Sequence, residues 1–511
     1  MFRSNDNDLL VNSKKISVKP QVSQNFTLTG SNNQIRFRLN PDTIPFFIPD
    51  RTYLKMEVEV KGDFPNYKPC ASAGCHSLIR NLRCSVDGNE VESVQEYNSL
   101  VAMKYARNKT DSLSAKRTLF EGQSVCTTQE QQLYVDGIGD YLSGTETTLN
   151  PSYKKIEVEL PIHSGFFTRE QLHPNVVCPL DLVFDLETKK RALQRIVAPK
   201  STDADPISLL STALTTNTAI TEIVLDTPAN AKKLGFLIGD KITIKDGSDE
   251  EELGTITSYG TATGNKLVLK FASHTTTNAY SVGSKVFVST TEAEREANLD
   301  VELSNISLVM TSVQPPKEYV ESLLQTASGK NGQTFQIQTF ELQRTNLTSV
   351  KGLQSVSIPT QTYDKALSIF SIPFNTDTLQ DQNYDTLVGD LDRCEQYQYI
   401  HGNEGIPSRP VNLGYFDGSQ TPNVWSAIYH NELLKAYDNA NIKCLDLHRV
   451  PETGWVFGRA WSDRNSVSDL SKEPLFLNVD YGSSSTMNKI MYHFMSNVRV
   501  VSVSNNGVRV F

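Results

Sequence analysis

The sequence predicts an all-β protein built as consecutive sandwiches, and three observations carry that reading. Apolar and polar residues alternate in short segments that end at Gly, Pro, Asn or an acidic turn: "IRFRLN" (35–40), "YLKMEVEVKG" (53–62), "KKIEVELPI" (154–162) and "PLDLVFDLE" (179–187). That period of two marks half-buried strands. Helical periodicity is confined to a few short stretches, without the strand–helix alternation of a parallel sheet. Finally, "MTSVQPPKEYVESLLQ" (310–325) halts the strands at two prolines and a short helix before they resume at "GQTFQIQTFEL". It reads as a seam between two halves on one plan.

Length and composition bound what such a chain does. Its 511 residues suggest two to four units, and 38 % hydrophobic with 21 % charged residues fits a globular protein. The opening "MFRSNDNDLLVNSKK" lacks a signal-peptide pattern, and no apolar run approaches the ~18 residues of a membrane helix, so synthesis in the cytosol is expected. Seven scattered cysteines, an odd number, are expected to be buried and reduced rather than a disulfide framework. The sequons at Asn25, Asn108, Asn305 and Asn346 carry no weight without a secretory signal. A net charge of −9 argues against generic phosphate-backbone binding. Residues 1–40 run the other way, with Arg3, Lys14, Lys15, Lys19, Arg36 and Arg38 against Asp6 and Asp8. This basic arm is either a solvated terminus or a contact for something anionic.

The elements follow in order. In 53–60, Leu54, Met56, Val58 and Val60 share one face, and Tyr53, Lys55, Glu57 and Glu59 the other, as in an antiparallel strand with one side in the core. Helical spacing places Tyr97, Leu100, Val101 and Tyr105 together in 94–107, and Trp425, Ile428, Leu433 and Tyr437 together in 424–440. Residues 201–220 are rich in Ser and Thr and precede five short strands, "TEIVLD", "DKITIKDG", "LGTITSYG", "KLVLKFA" and "SKVFVS". Their spacing predicts a small β-barrel inserted over 201–292 at an exposed loop tip. In the seam, Pro315 and Pro316 stop the ladder, and Tyr319 with Leu323, or Val320 with Leu324, gives the helix an apolar stripe. "LSNISLVMTSV" (303–313) is echoed by "MSNVRVVSVSN" (495–505), with Ser304 and Asn305 matching Ser496 and Asn497. The expected divisions are an arm (1–29), a first sandwich (30–316) carrying the insertion, a connector (317–332) and a second sandwich (333–511).

Several stretches resemble one family, the double jelly-roll major capsid proteins. "LPIHSGFFTREQLHPNVVCPLDLVFDLE" (160–187) is similar to their strand, aromatic pair and Pro-Leu lead into the next strand. "SLIRNLRCSVDGNEVESVQEYNSLVAMKY" (77–105) resembles their first-half run of short helix, strand, turn at Asp87 and Gly88, strand and Tyr-bearing helix. "GIPSRPVNL" (405–413) is similar to a second-half Tyr-Pro turn, with Ile406 replacing the usual aromatic before Pro407. "PLFLNVDYGSSS" and "VRVVSVSNNGVRVF" are similar to the closing strands. The likeness covers about 30–200 and 300–511, and is nearest to Polinton-like virus capsid proteins, more distantly to the adenovirus hexon, tectivirus and giant-virus lineage. It implies two consecutive eight-stranded jelly rolls and a structural rather than enzymatic role in an icosahedral virion of a dsDNA virus. It also implies homotrimers of pseudo-hexagonal outline that contact neighbouring capsomers, penton and minor capsid proteins. The basic arm would then meet an internal membrane or genome, and the insertion the host surface or solvent.

Residues with other chemistry give way to plainer readings. "GIGDYLSG" (137–144) misses the dinucleotide fingerprint by one residue and reads as a loop. Cys70, Cys75, His76 and Cys84 lack the tight pairing of a zinc site. Asp246, Asp249, Glu250, Glu251 and Glu252 fail the EF-hand spacing and read as a solvated hairpin turn, and Lys189, Lys190 and Arg191 as a solvated charge run. No catalytic, cofactor-binding or metal-binding residue is assigned. The competing reading is a carbohydrate- or receptor-binding sandwich, a spike or lectin, with Trp455 and Trp461 on exposed loops stacking on sugars. The favoured reading packs those two aromatics between subunits.

Overall fold

The computed structural model describes residues 12–30, 33–61, 67–108, 111–123, 155–195, 208–228, 236, 239–260, 266–296, 299–328, 332–348, 351–377, 379–380, 382, 385–390, 394–413, 426–444, 454–461, 467–482, 488–504 and 507–511. Sixteen strands form two sandwiches. The first contains β1 (Asn12–Val18), β2 (Gln34–Leu39), β3 (Phe46–Lys61), β4 (Ile79–Val86), β5 (Asn89–Val94), β6 (Ile156–Pro161), β7 (Leu180–Leu186) and β8 (Asp300–Gln314). The second contains β9 (Gln333–Leu347), β10 (Leu353–Ile358), β11 (Ala366–Asn375), β12 (Gln396–His401), β13 (Glu404–Asn412), β14 (Phe457–Ala460), β15 (Leu475–Asp480) and β16 (Lys489–Ser504).

One sheet of the first sandwich has the order β1-β8-β3-β6 and the other β2-β7-β4-β5. Adding eight to each label gives the second sandwich, β9-β16-β11-β14 and β10-β15-β12-β13. Strand one thus runs beside strand eight, two beside seven, three beside six and four beside five. That is a ribbon of paired strands rolled over on itself, a jelly roll, present twice. The sequence echo falls on β8 and β16, the same strand of the two rolls. Both places carry a bulge: the pairing of β8 with β3 slips between Ser304 and Ser307, where Asn305 has φ 52°, and that of β16 with β11 slips beside Ser496 and Asn497.

Every pairing is antiparallel, so successive strands reverse direction and the connections alternate between ends. One end of the first roll takes the tight Asp87-Gly88 turn and residues 40–45 and 162–179. The other takes the long connections 62–78, 95–155 and 187–299. Pairing of Asn12 with Gln314 and of Gln333 with Val503 puts the start of β1, the connector and the end of β16 at the short-connection end.

Strands between Ser208 and Val288 form a separate six-stranded sheet between β7 and β8. Its outer strands, Ser208–Leu209 and Ala219–Pro228, meet through a bridge from Leu210 to Leu225, which closes it around Ile223, Ile242, Ile244, Leu269 and Val286. The acidic turn is less solvated than its composition suggested. Asp246 accepts from Ser281 N at 3.1 Å and Ser284 Oγ at 3.0 Å, and Glu251 from Thr277 N at 2.8 Å and Tyr280 Oη at 3.1 Å; a carboxylate satisfies several loop donors at once.

The helices depart from the sequence reading in two places. In Ala427–Asn439, Leu433 and Tyr437 are buried but Ile428 is largely exposed, and Trp425 lies outside the described residues. In the connector helix Lys317–Ser328, Tyr319, Val320 and Leu323 pack on Phe46, Ile48 and Val313, while Leu324 is exposed. The helix Asp111–Glu121 had no signal in apolar spacing.

Candidate functional site

For a chain of two rolls, the surface that fixes one against the other is the site its architecture singles out. The outer faces of the two corresponding sheets differ in chemistry. In the first roll that face carries charged pairs, Lys55 Nζ to Glu157 Oε1 at 2.9 Å and Lys155 Nζ to Glu59 Oε2 at 3.4 Å. In the second it carries Phe340, Phe370, Phe374 and Tyr492, and every residue of β11 is buried, with the Ala427–Asn439 helix packed on it.

Glu96 is the ionic centre of this seam. It follows β5 with φ 49° and precedes the helix Tyr97–Ala106. Its fully buried carboxylate accepts from Arg191 of the first roll and Arg344 of the second, with Arg80 Nε 3.5 Å away. Arg191 also donates to Ser99 Oγ at 3.1 Å and lies 3.8 Å from Glu187. The ring of Tyr492 sits beneath both guanidinium groups, 5.3 Å from Arg191 and 5.0 Å from Arg344. Burial works against the charge of Arg191, but Glu96, Tyr492 and Glu187 outweigh it and raise its pKa. The reading of Lys189, Lys190 and Arg191 as a solvated run is therefore corrected. Arg191 is 7 % exposed, and Lys189 Nζ donates to the carbonyls of Glu296 and Leu299; Lys190 alone is half-exposed, 3.6 Å from Glu296.

Further contacts extend the seam. Asp385 accepts from Ser72 N at 2.7 Å and Ser72 Oγ at 2.9 Å, and Thr386 Oγ1 donates to Arg191 O at 2.9 Å. At the level of the long connections, Tyr437 Oη donates to Met103 O at 3.1 Å and Arg107 Nη2 to Gly454 O at 3.0 Å. Lys104 Nζ lies 4.5 Å from the Phe340 ring centroid, and burial lowers its pKa to about 8. At the short-connection end Gly165 abuts β9, where a Cβ would stand 2.0 Å from Gln338 O.

The residues weighed for metal or sugar chemistry do not form a site. Cys70, Cys75 and Cys84 are buried free thiols, their pKa values raised by burial. His76 joins a different group, with Tyr97 Oη 3.3 Å from its Nδ1, Tyr105 Oη 3.4 Å from its Nε2, and Glu121 and His163 both 2.6 Å from the Tyr105 hydroxyl. Among the described residues, no three His, Cys, Asp or Glu side chains could hold a metal ion. Trp455 is 7 % exposed and packs on Tyr429, and Trp461 is half-buried against Tyr399, so neither stands on an exposed loop as expected. "GIPSRPVNL" is not a turn. It is the edge strand β13, where Pro407 and Pro410 need not donate to a ladder. "GIGDYLSG" lies outside the described residues.

A fully buried histidine inside the second roll gives a pH dependence. His493 has Ser371 Oγ 2.7 Å from Nδ1 and Thr345 Oγ1 2.8 Å from Nε2, and burial lowers its pKa to about 3. Between about 6.5 and that value the unfolded chain binds a proton the folded one does not, so stability falls by about 1.4 kcal/mol per pH unit as pH drops. Urea-unfolding midpoints from pH 7.5 to 4.5 are expected to fall less steeply in His493→Gln than in wild type, and equal slopes would show that this imidazole takes up its proton as readily in the folded state as in the unfolded one.

No protein-family model matches the sequence, and no curated protein matches it. Solved structures do. The cryo-EM structure of the Sputnik virophage aligns with a TM-score of 0.50 at 9 % identity, covering 98 % of this chain and 88 % of that one. PBCV-1 VP54 fitted into a Sputnik reconstruction gives 0.46 at 8 % identity, covering 98 % and 96 %. A quasi-atomic model of the PBCV-1 virus capsid gives 0.43 at 9 %, again covering 98 % and 96 %. Strand order along the chain and the near-complete alignment with the virophage structure agree on one conclusion: this is a double jelly-roll protein.

Proposed function

We propose that the chain is a viral major capsid protein that works as a homotrimer of pseudo-hexagonal outline, the repeating tile of an icosahedral shell. The observation that carries this reading is the pair of side-by-side jelly rolls fixed by a buried seam with their ends aligned. Two similar bodies in one rigid chain give three copies six similar sides, which suits a tile that packs in a plane. In this reading the division into two rolls, the first running from β1 at Asn12 to residue 316 and the second over 333–511, joined through 317–332, is functional; the arm expected over 1–29 gives way because Asn12–Val18 pairs with β8. The insertion 201–292 stands outward on the long-connection end as a tower, toward host or solvent. The short-connection end, where β1 begins, faces inward, so Lys14 and Lys15 at the start of β1 approach membrane, genome or neighbouring capsomers there. Penton and minor capsid proteins are the further partners, and the role is architectural, without catalysis.

The test is the native mass of the purified chain, followed by electron microscopy of the same peak. Three copies of the 57.0 kDa chain give 171 kDa, and that mass with hexagonal outlines is the expected result. A monodisperse 57.0 kDa species that never assembles would sink the reading.

A further inference from the structure

We propose that His173 is an acid-sensitive latch between the two rolls at the short-connection end. His173 pairs with Phe47 across the edge of β3 and is 4 % exposed. Its ring lies among three phenyl rings, with centroids 5.2 Å from Phe47, 4.8 Å from Phe166 and 5.4 Å from Phe335. Phe47 and Phe166 belong to the first roll. Phe335 stands near the start of β9, so the imidazole is part of the joint that holds the second roll's first strand.

Among the described residues, the charged group that faces this ring has the same sign as its protonated form. Arg169 Nη1 lies 3.5 Å from His173 Nδ1, and the guanidinium is set over the Phe335 ring at 4.3 Å and the Phe166 ring at 5.8 Å. Burial holds the Arg169 pKa down to about 10, with no carboxylate acting on it. The charged residues nearby, Asp50, Arg51 and Glu170, are exposed and act on one another. A neutral imidazole therefore fits its surroundings, and an imidazolium meets a sealed apolar pocket with a guanidinium at its edge. Burial first, and Arg169 second, push the His173 pKa well below the ordinary value.

The sign follows. With the joint open, His173 titrates near 6.5; with it closed, it resists protonation to lower pH. Below about pH 6.5 each unit of acid therefore favours the open joint by about tenfold. Acid loosens β9 from the first roll while the Glu96 centre, which contains no histidine, keeps the rest of the seam closed.

Hydrogen exchange on the full chain tests this without reference to assembly. Peptides spanning 333–340 are followed at pH 7.5 and 5.5, with rates corrected for the intrinsic pH dependence of exchange. Protection in wild type is expected to fall about tenfold between the two pH values. In His173→Gln, which stays uncharged at this position, it should fall less than in wild type, by no more than His493 of β16 contributes. If that variant does not fold, His173→Phe, which keeps a ring in the pocket, serves the same purpose. An equal fall in wild type and in the folded variant overturns the latch, as does wild-type protection that is independent of pH.

Discussion

Glu96→Ala is expected to destabilise the protein by about 3–5 kcal/mol, the cost of leaving a buried charge without its partner. The charge left behind is Arg191, 7 % exposed and unable to reach water without opening the seam. Glu187, 3.8 Å away, is too far to replace a hydrogen-bonded carboxylate. The control is Arg344→Gln. Arg344 also pairs with Glu96 but its side chain is 38 % exposed, so its loss should cost no more than ~1 kcal/mol. Urea unfolding of both variants checks the pair of values, and equal midpoints would show that the ionic centre does not depend on burial. Because Glu96 belongs to the first roll and Arg344 to the second, the loss should also separate one unfolding transition into two.

Gly165→Ala is expected to push the rolls apart. A Cβ there would stand 2.0 Å from Gln338 O and 2.6 Å from its carbonyl carbon, and both are backbone atoms of β9 that no side-chain rotation can move. Overpacking of this kind costs ~1–3 kcal/mol or more. The readout is local: exchange in β9 should rise while that of the closed insertion sheet stays the same. Unchanged exchange in β9 would mean that the strand shifts without cost. Gly458→Ala is a useful comparison, since the atom its Cβ would approach most closely, at 2.7 Å, is Leu433 Cδ1, the end of a side chain that can rotate.

The strands were legible because their chemistry is local. In β3, Leu54, Met56 and Val58 point to the core and Lys55, Glu57 and Glu59 outward, and alternation alone reveals it. The connector was legible because proline cannot donate a hydrogen bond. The seam was hidden, because it depends on partners far apart in sequence: Glu96 meets Arg344 across 248 residues. Nothing in "VQEYNSL" distinguishes a glutamate bound for burial from one on the surface, and "TKKRA" looks solvated until Arg191 is seen turned inward. The tryptophans misled for a related reason. Trp455 was placed on an exposed loop, but Tyr429, which covers the indole, comes from a helix 26 residues earlier.

The insertion also sets a timetable for synthesis. β1 must wait for β8, since Asn12 pairs with Gln314, and at ~5–20 residues per second the ribosome needs about 15–60 s to reach the partner strand. The sheet of the insertion closes sooner, for its strands all lie between Ser208 and Val288. A finished barrel therefore hangs on a half-made roll whose β3, with Leu54, Met56 and Val58, still lacks its neighbour. The first roll is the part of the chain that most needs a chaperone during translation, although it is made first.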